Sequence, residues 1–333
     1  MKYDVYGIGN ALVDKEFEVS DAFLAEQGIE KGFMTLIDED RHHQLLAELQ
    51  QRFGLKQRTS GGSAANTIVA ASQFGARAFY ACKVAGDEFG EFYRHDLERA
   101  GVDNCLERIN AVGNTGKCMV MITPDAERTM NTYLGITTDF SVAELDMEAL
   151  KQARYLYWEG YLVTSDTSRS AVLEARRVAA EQGIKTAMTF SDPSMVTYFR
   201  DGVAELLGDG VDILFSNIEE AQTFTATDNL DDAIEALKPY ADKLVITQGR
   251  EGAMVVNGHG KINIDPHPVQ AVDTNGAGDM FAGAFLYAAS QGMDDAIAGK
   301  LASLAASRIV SVYGSRLSRE VHAALLSSVR VEG

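Results

Sequence analysis

The sequence is short of positive charge, short of cysteine and without a long apolar run, and each shortage closes off a class of function. Only 30 basic residues stand against 48 acidic ones, a formal net charge of -18 over 333 residues. No cationic excess exists to neutralise phosphates, which argues against nucleic-acid partners and anionic membrane surfaces. The three cysteines, Cys82, Cys105 and Cys118, are far apart, with no C-x-x-C pair and no Cys/His cluster at zinc spacing. They read as buried free thiols in a reducing cytoplasm. No stretch reaches the about 20 continuous apolar residues that span a bilayer. The start, Met1-Lys2-Tyr3-Asp4-Val5, reads as a strand and not as a secretory signal. No low-complexity linker or internal repeat divides the chain. What remains is an apolar content of 46%, enough for a sizeable core in one large α/β domain or two smaller ones.

Short apolar runs alternate with longer amphipathic ones. Strands are expected at 3–8, 78–84, 153–158, 185–190, 211–215 and 243–247. Helices are expected at 63–74, 88–100, 168–182, 198–207, 219–225 and 230–240. This rhythm implies a doubly wound, mostly parallel sheet covered on both faces, with ligands at the carboxyl ends of its strands. Two regions break the rhythm: 16–36 mixes extended pieces with turns, and 115–134 reads as two β-segments around Pro124-Asp125-Ala126. They predict a small β-rich lid inserted into the main unit. The expected division is 1–9, 40–110 and 138–333 for the large domain, and 10–39 and 111–137 for the lid.

Five constellations carry chemistry. Asp273-Thr274-Asn275-Gly276-Ala277-Gly278-Asp279 follows a short β-like segment at 268–272 and opens an apolar helix at 280–290. Free N–H groups at a helix start form an anion site, and glycines let a phosphate approach the backbone. A carboxylate in the first turn suits a general base for phosphoryl transfer, though an acid there also complements the helix dipole. Gly61-Gly62-Ser63-Ala64-Ala65-Asn66 is a second glycine turn into a helix; Asn66 could aim its amide at hydroxyls, while Ser63 suits an N-cap. Gly7-Ile8-Gly9-Asn10-Ala11-Leu12-Val13-Asp14 lacks the third glycine of a dinucleotide fingerprint. There Asn10 and Asp14 could grip a vicinal diol, since a carboxylate accepts two hydroxyl hydrogens. Asn217-Ile218-Glu219-Glu220 puts Asn217 and Glu220 on one helix face, able to serve a hard cation or to cap the helix. Thr247-Gln248-Gly249-Arg250-Glu251-Gly252, a turn between a strand and a hairpin, could cradle phosphates.

In this order the five elements resemble the ribokinase-like (PfkB) superfamily of sugar and nucleoside kinases, from residue 3 to about 314. Gly61-Gly62 with Gly86-Asp87-Glu88-Phe89-Gly90 resembles the family's N-terminal signature, and 273–279 its C-terminal one. The resemblance implies a ribokinase-like fold and transfer of the γ-phosphate of ATP to a primary hydroxyl. It makes Asp279 the base and Gly276, Ala277 and Gly278 the anion hole. Asn217 and Glu220 would support Mg2+ through water, and Asp273 would help hold a monovalent cation such as K+. Thr247, Gly249, Gly252 and Asn275 would lie with the nucleotide, and Asn10, Asp14, Gly61, Gly62 and Asn66 with the acceptor. Arg128, on the lid in Glu127-Arg128-Thr129-Met130-Asn131, could close over the phosphates as a cationic clamp.

Within the family the chain resembles the adenosine-kinase-like branch, through Asn275, Thr247-Gln248-Gly249 and the Gly9 to Asp14 pattern. It departs at Ala11, where adenosine kinases commonly have proline. Leu12, Leu36, Tyr133, Trp158 and Tyr161 are candidate walls for a base. A nucleoside kinase preferring adenosine is expected, with a kinase of ribose, fructose or a related sugar as the alternative. A non-catalytic nucleoside-binding regulator is the third reading. A monomer or a homodimer fits equally.

Overall fold

The computed structural model describes residues 1–108 and 111–331. In chain order the strands are β1 Tyr3–Ile8, β2 Leu12–Glu18, β3 Met34–Leu36, β4 Leu55–Gly61, β5 Ala78–Ala81, β6 Val102–Asp103, β7 Gly116–Ile122, β8 Arg128–Tyr133, β9 Ala153–Glu159, β10 Lys185–Thr189, β11 Val211–Asn217, β12 Ala241–Thr247, β13 Ala253–Asn257 and β14 Gly260–Ile264. They form two sheets.

The larger sheet runs β14-β13-β12-β11-β10-β9-β1-β5-β6. From β12 to β6 every pairing is parallel, and only β13 and β14 join antiparallel. Strand periodicity of two splits the central strands between two cores. On β9, Tyr155 and Tyr157 pack with the helices Ser63–Phe74 and Ala277–Ser290, whereas Leu156 and Trp158 pack with the helix Asp166–Gln182 on the other face. This is the expected doubly wound architecture. The helix Ala277–Ser290 is built largely of small residues, and at Gly283 an added Cβ would lie 2.5 Å from the Thr67 carbonyl oxygen. That closeness fixes the helix bearing Asp279 against the one bearing Ser63 and Asn66.

The smaller sheet runs β3-β8-β7-β2-β4. Its rear face packs on the helix Glu39–Arg52 through Phe17, Met119, Met121, Leu45 and Leu49. Its forward face looks onto the carboxyl edge of the large sheet. Here the structure departs from the expected division, because 39–61 supplies that helix and β4 to the lid sheet. The sequence 55–61 is polar and half-exposed, so it lacks the apolar alternation that marks a strand; it is an edge strand held by its pairing with β2.

Other boundaries also shift. The β-like segment expected at 268–272 is not a strand: the Val272 and Asp273 amides donate instead to the Val310 carbonyl at the end of a helix. The helix expected at 198–207 is Arg200–Leu207, preceded by a separate short helix, Pro193–Tyr198, and that expected at 230–240 ends at Leu237 ahead of Pro239. The three cysteines are buried and form no disulfide among the described residues. Among the described residues no helix is long and apolar enough to cross a membrane.

Candidate active site

The carboxyl edge of the large sheet and the forward face of the lid enclose a cavity of about 520 Å³, the size of a small-molecule site. Asp279 sits at its floor, in the first turn of Ala277–Ser290. Its Oδ1 accepts the Ser63 hydroxyl at 2.6 Å, and its Oδ2 accepts the Asn66 amide at 3.1 Å. Burial raises this carboxyl above the ordinary aspartate value, while Ser63, Asn66 and the Arg128 charge pull it back. A raised but still ionisable carboxylate is suited to accept a proton near neutral pH. Ser63, expected as an N-cap, spends its hydroxyl on Asp279; Gly62 occupies the cap position without a side-chain bond.

Beside Asp279 the turn has a free donor surface. Gly276 is left-handed at φ +74°, and a Cβ there would lie 2.8 Å from that of Ser315. The Ala277 amide donates to Thr274, but those of Gly276, Gly278 and Asp279 find no acceptor among the described residues. A Cβ on Gly278 would meet nothing within 4 Å. Unused amides around an open space at a helix start are what a phosphoryl group requires. Asp273 does not line the cavity. It is fully buried, and its oxygens accept the Asn275 and Gly314 amides at 2.8 and 2.9 Å, which holds the turn in shape. Asn275 lines the cavity and directs its amide at Glu16 on β2, and the Thr274 hydroxyl donates to the Ala126 carbonyl. The turn that carries Asp279 is thus tied to the lid at two points.

Asn10, Asp14, Gly62 and Asn66 also line the cavity, Asn66 in contact with Asp279 itself. Burial, and then the charge of Glu16, push the Asp14 carboxyl well above the ordinary range, against the pull of Arg316 and Arg128. The two glycines exist for these neighbours. A Cβ on Gly61 would stand 1.9 Å from Asp14 Oδ2, and one on Gly62, at φ +99°, would stand 2.4 Å from the Asn10 carbonyl oxygen. Gly61 itself stays behind the wall.

Sequence reasoning missed Glu159. It ends β9, is fully buried and lines the cavity. Its Oε1 accepts the Asn10 amide at 2.7 Å and its Oε2 the Ala64 amide at 2.6 Å. It thereby takes an orphan donor from the first turn of Ser63–Phe74 and ties that turn to the segment after β1. Burial lifts its carboxyl to about 7 in spite of these bonds. An acid closing a strand that is otherwise buried was the available signal.

Of the expected walls, Leu12, Leu36 and Tyr161 line the cavity, joined by Met34, Cys118 and Met130. Tyr133 and Trp158 do not. On β8 the residues 128, 130 and 132 point forward, so Tyr133 points to the rear, toward His42 and Glu39. Trp158 is fully buried in the core on the far side of the large sheet.

At the carboxyl ends of β11 and β12, Asn217, Glu220, Thr247 and Gly249 line the cavity. Gly252 lies outside it, where at φ +94° its Cβ would meet the Ile264 carbonyl oxygen at 2.2 Å. Asn217 and Glu220 form a reciprocal capping box, with bonds of 2.8 and 2.9 Å. Glu220 spends Oε2 on that box, leaving Oε1 for the cavity, and burial lifts its carboxyl to about 7. A buried carboxylate with a spare oxygen fits a hydrated hard cation. Arg128 also lines the cavity; its Nη1 lies 3.2 Å from Met130 Sδ, and no carboxylate pairs with it among the described residues.

The profile of the pfkB family carbohydrate kinases matches residues 33–321. The chain belongs to the pfkB family. It is a phosphotransferase with an alcohol group as acceptor. An adenosine kinase of Saccharomyces cerevisiae is 30% identical over 307 residues, 86% of this chain and 88% of that protein. A probable fructokinase of Arabidopsis thaliana is 28% identical over 236 residues, 68% of this chain and 72% of its own. The solved adenosine kinase of Sinorhizobium meliloti superposes with a TM-score of 0.92 at 36% identity, covering all of both chains. This kinase therefore resembles proteins of two acceptor classes.

Proposed function

We propose that this kinase moves the γ-phosphate of ATP, with Mg2+, to the 5′-hydroxyl of a nucleoside, adenosine preferred. The observation that carries the reading is the apolar wall of the lid. Leu12, Met34, Leu36, Cys118 and Met130 project into the cavity beside Asp14 and Asn10. A flat base would cover that wall, whereas a free sugar would leave it facing water.

Asn10 and Asp14 grip the ribose hydroxyls, and Asn66 orients Asp279 toward the primary hydroxyl. Asp279 takes the proton of that hydroxyl as the oxygen attacks. The free amides of Gly276 and Gly278 receive the charge that develops on the transferring phosphoryl, whereas that of Ala277, expected to join them, is engaged by the Thr274 carbonyl. Arg128 neutralises the same group from the lid. Glu220 and Asn217 would hold Mg2+ through water, and the ion would supply screening of the polyphosphate charge. Thr247 and Gly249 border the nucleotide, and the lid keeps water from the reacting phosphate.

Coupled detection of ADP over a panel of acceptors tests the reading. Adenosine should drive ADP formation where ribose and fructose do not. The reverse pattern would establish the sugar-kinase alternative, for which the fructokinase relatives speak. No acceptor-dependent ADP with any of them would leave the non-catalytic binding reading.

A further inference from the structure

The rear face of the lid carries a cluster of cations that the phosphotransfer site does not use. On β2 the residues Leu12, Asp14 and Glu16 alternate with Val13, Lys15 and Phe17, so Lys15 points away from the cavity. Arg58 on β4 is directly opposite Lys15, and Lys117 on β7 is opposite Val13, which places all three on that rear face. They surround one ring: Lys15 Nζ, Lys117 Nζ and the Arg58 guanidinium lie 5.0, 4.6 and 4.7 Å from the centre of Phe89.

The cluster is poorly compensated. Lys15 and Lys117 are only 9% and 7% exposed, yet among the described residues neither ammonium has a hydrogen-bond or ion-pair partner. Neither ammonium is sealed off, whereas Arg58 Nε and both ring nitrogens of the adjacent His42 are buried without partners. Glu88 pairs with Arg58 at 2.8 Å. Asp87 is near Lys117, but its oxygens are taken by Thr115 and Gly90. Glu39 is engaged by Asn114 and Tyr133. Like charges directly opposite on a sheet are destabilising, and cation–π contact offsets this only in part. In a protein of net charge -18, three clustered cations with one paired acid are not explained by a shortage of carboxylates.

We propose that Lys15, Arg58 and Lys117 form an anion site on the rear of the lid that takes a phosphate oxyanion, free or as a phosphate monoester. Such an anion accepts from the two ammonium groups and relieves the Lys15–Arg58 repulsion. It thereby ties β4 to β2, whose forward face carries Leu12, Asp14 and Glu16. The site is separate from the phosphate-binding turn at 276–279, since the sheet itself stands between them.

Hydrogen exchange of the full chain, with and without inorganic phosphate at constant ionic strength, tests this. Protection scales as 1 + [L]/Kd, so amides in 12–18 and 55–61 should slow about fivefold at phosphate four times its Kd. K15Q/K117Q should lose this protection, and K15R/K117R, which keeps both charges and guards against a mere folding defect, should retain it. Protection of 276–279 serves as the control for phosphate at the catalytic turn in all three proteins. A parallel series with methyl phosphate, which has no nucleoside to engage Asn10 and Asp14, separates the sources: protection by both ligands admits the monoester, and protection by inorganic phosphate alone assigns the free ion. No slowing in the wild type, or equal slowing in K15Q/K117Q, would overturn the site.

Discussion

Replacing Glu159 with glutamine should make the stability of this kinase less sensitive to pH, and the size of the change follows from the structure. The carboxyl of Glu159 is fully buried and titrates at about 7 in the fold, against about 4.3 in an unfolded chain. Between these values the folded state holds a proton that the unfolded state has released. The contribution of Glu159 to stability is therefore fully present below about pH 4.3 and is lost as the pH rises through about 7. That loss has a slope of about 1.4 kcal/mol per pH unit and a total of about 4 kcal/mol. Glutamine cannot ionise, so its contribution is flat. It brings a different cost, because its single oxygen can accept from Asn10 or from Ala64 but not from both, and one buried amide left unpaired costs about 1–3 kcal/mol. At pH 5 Glu159→Gln should therefore be clearly less stable than the wild type. The gap should close with rising pH and be nearly gone, or reversed, by pH 8. Urea midpoints followed by circular dichroism at half-unit intervals from pH 5 to 8 measure it. A wild-type-minus-variant difference that stays constant over that window would refute the reasoning, whatever its size.

Gly61→Ala should drive the Asp14 carboxylate out of place, since the added Cβ would fall 1.9 Å from it; the expected cost is about 1–3 kcal/mol of stability, with a rise in the acceptor KM. Steady-state kinetics at saturating ATP check it, and an unchanged acceptor KM would remove Asp14 from acceptor binding. Arg128→Met should lower kcat by about 10³-fold with little loss of fold, on the scale of other arginines that neutralise a transferring phosphoryl group; a kcat within threefold of wild type would count against the clamp.

Much of the site was legible because its parts are local. The run 273–279 shows its left-handed glycine, its free amides and its acid within seven residues, and Asn217 with Glu220 spans a single helical turn. The parallel core was legible because its strands are apolar runs between amphipathic helices. The unread parts depend on contacts between distant segments. Glu159 reaches Asn10 and Ala64 across sequence separations of 149 and 95 residues, and nothing near it announces those amides. β4 carries Leu55, Lys56, Gln57 and Arg58, a pattern that suits a loop until β2 pairs with it. Tyr133 and Trp158 have the composition of a base pocket but the wrong strand parity, and parity toward a ligand is known only once the sheet has a front and a back.

The account stands most directly on Asp279. With saturating ATP, Mg2+ and adenosine, ADP formation by Asp279→Asn should fall by about 10³-fold, the usual contribution of a positioned base, while the variant keeps its fold because asparagine can still meet Ser63 and Asn66. Adenosine-dependent ADP formation within tenfold of the wild type would contradict the assignment of the base, and with it the central claim about this site.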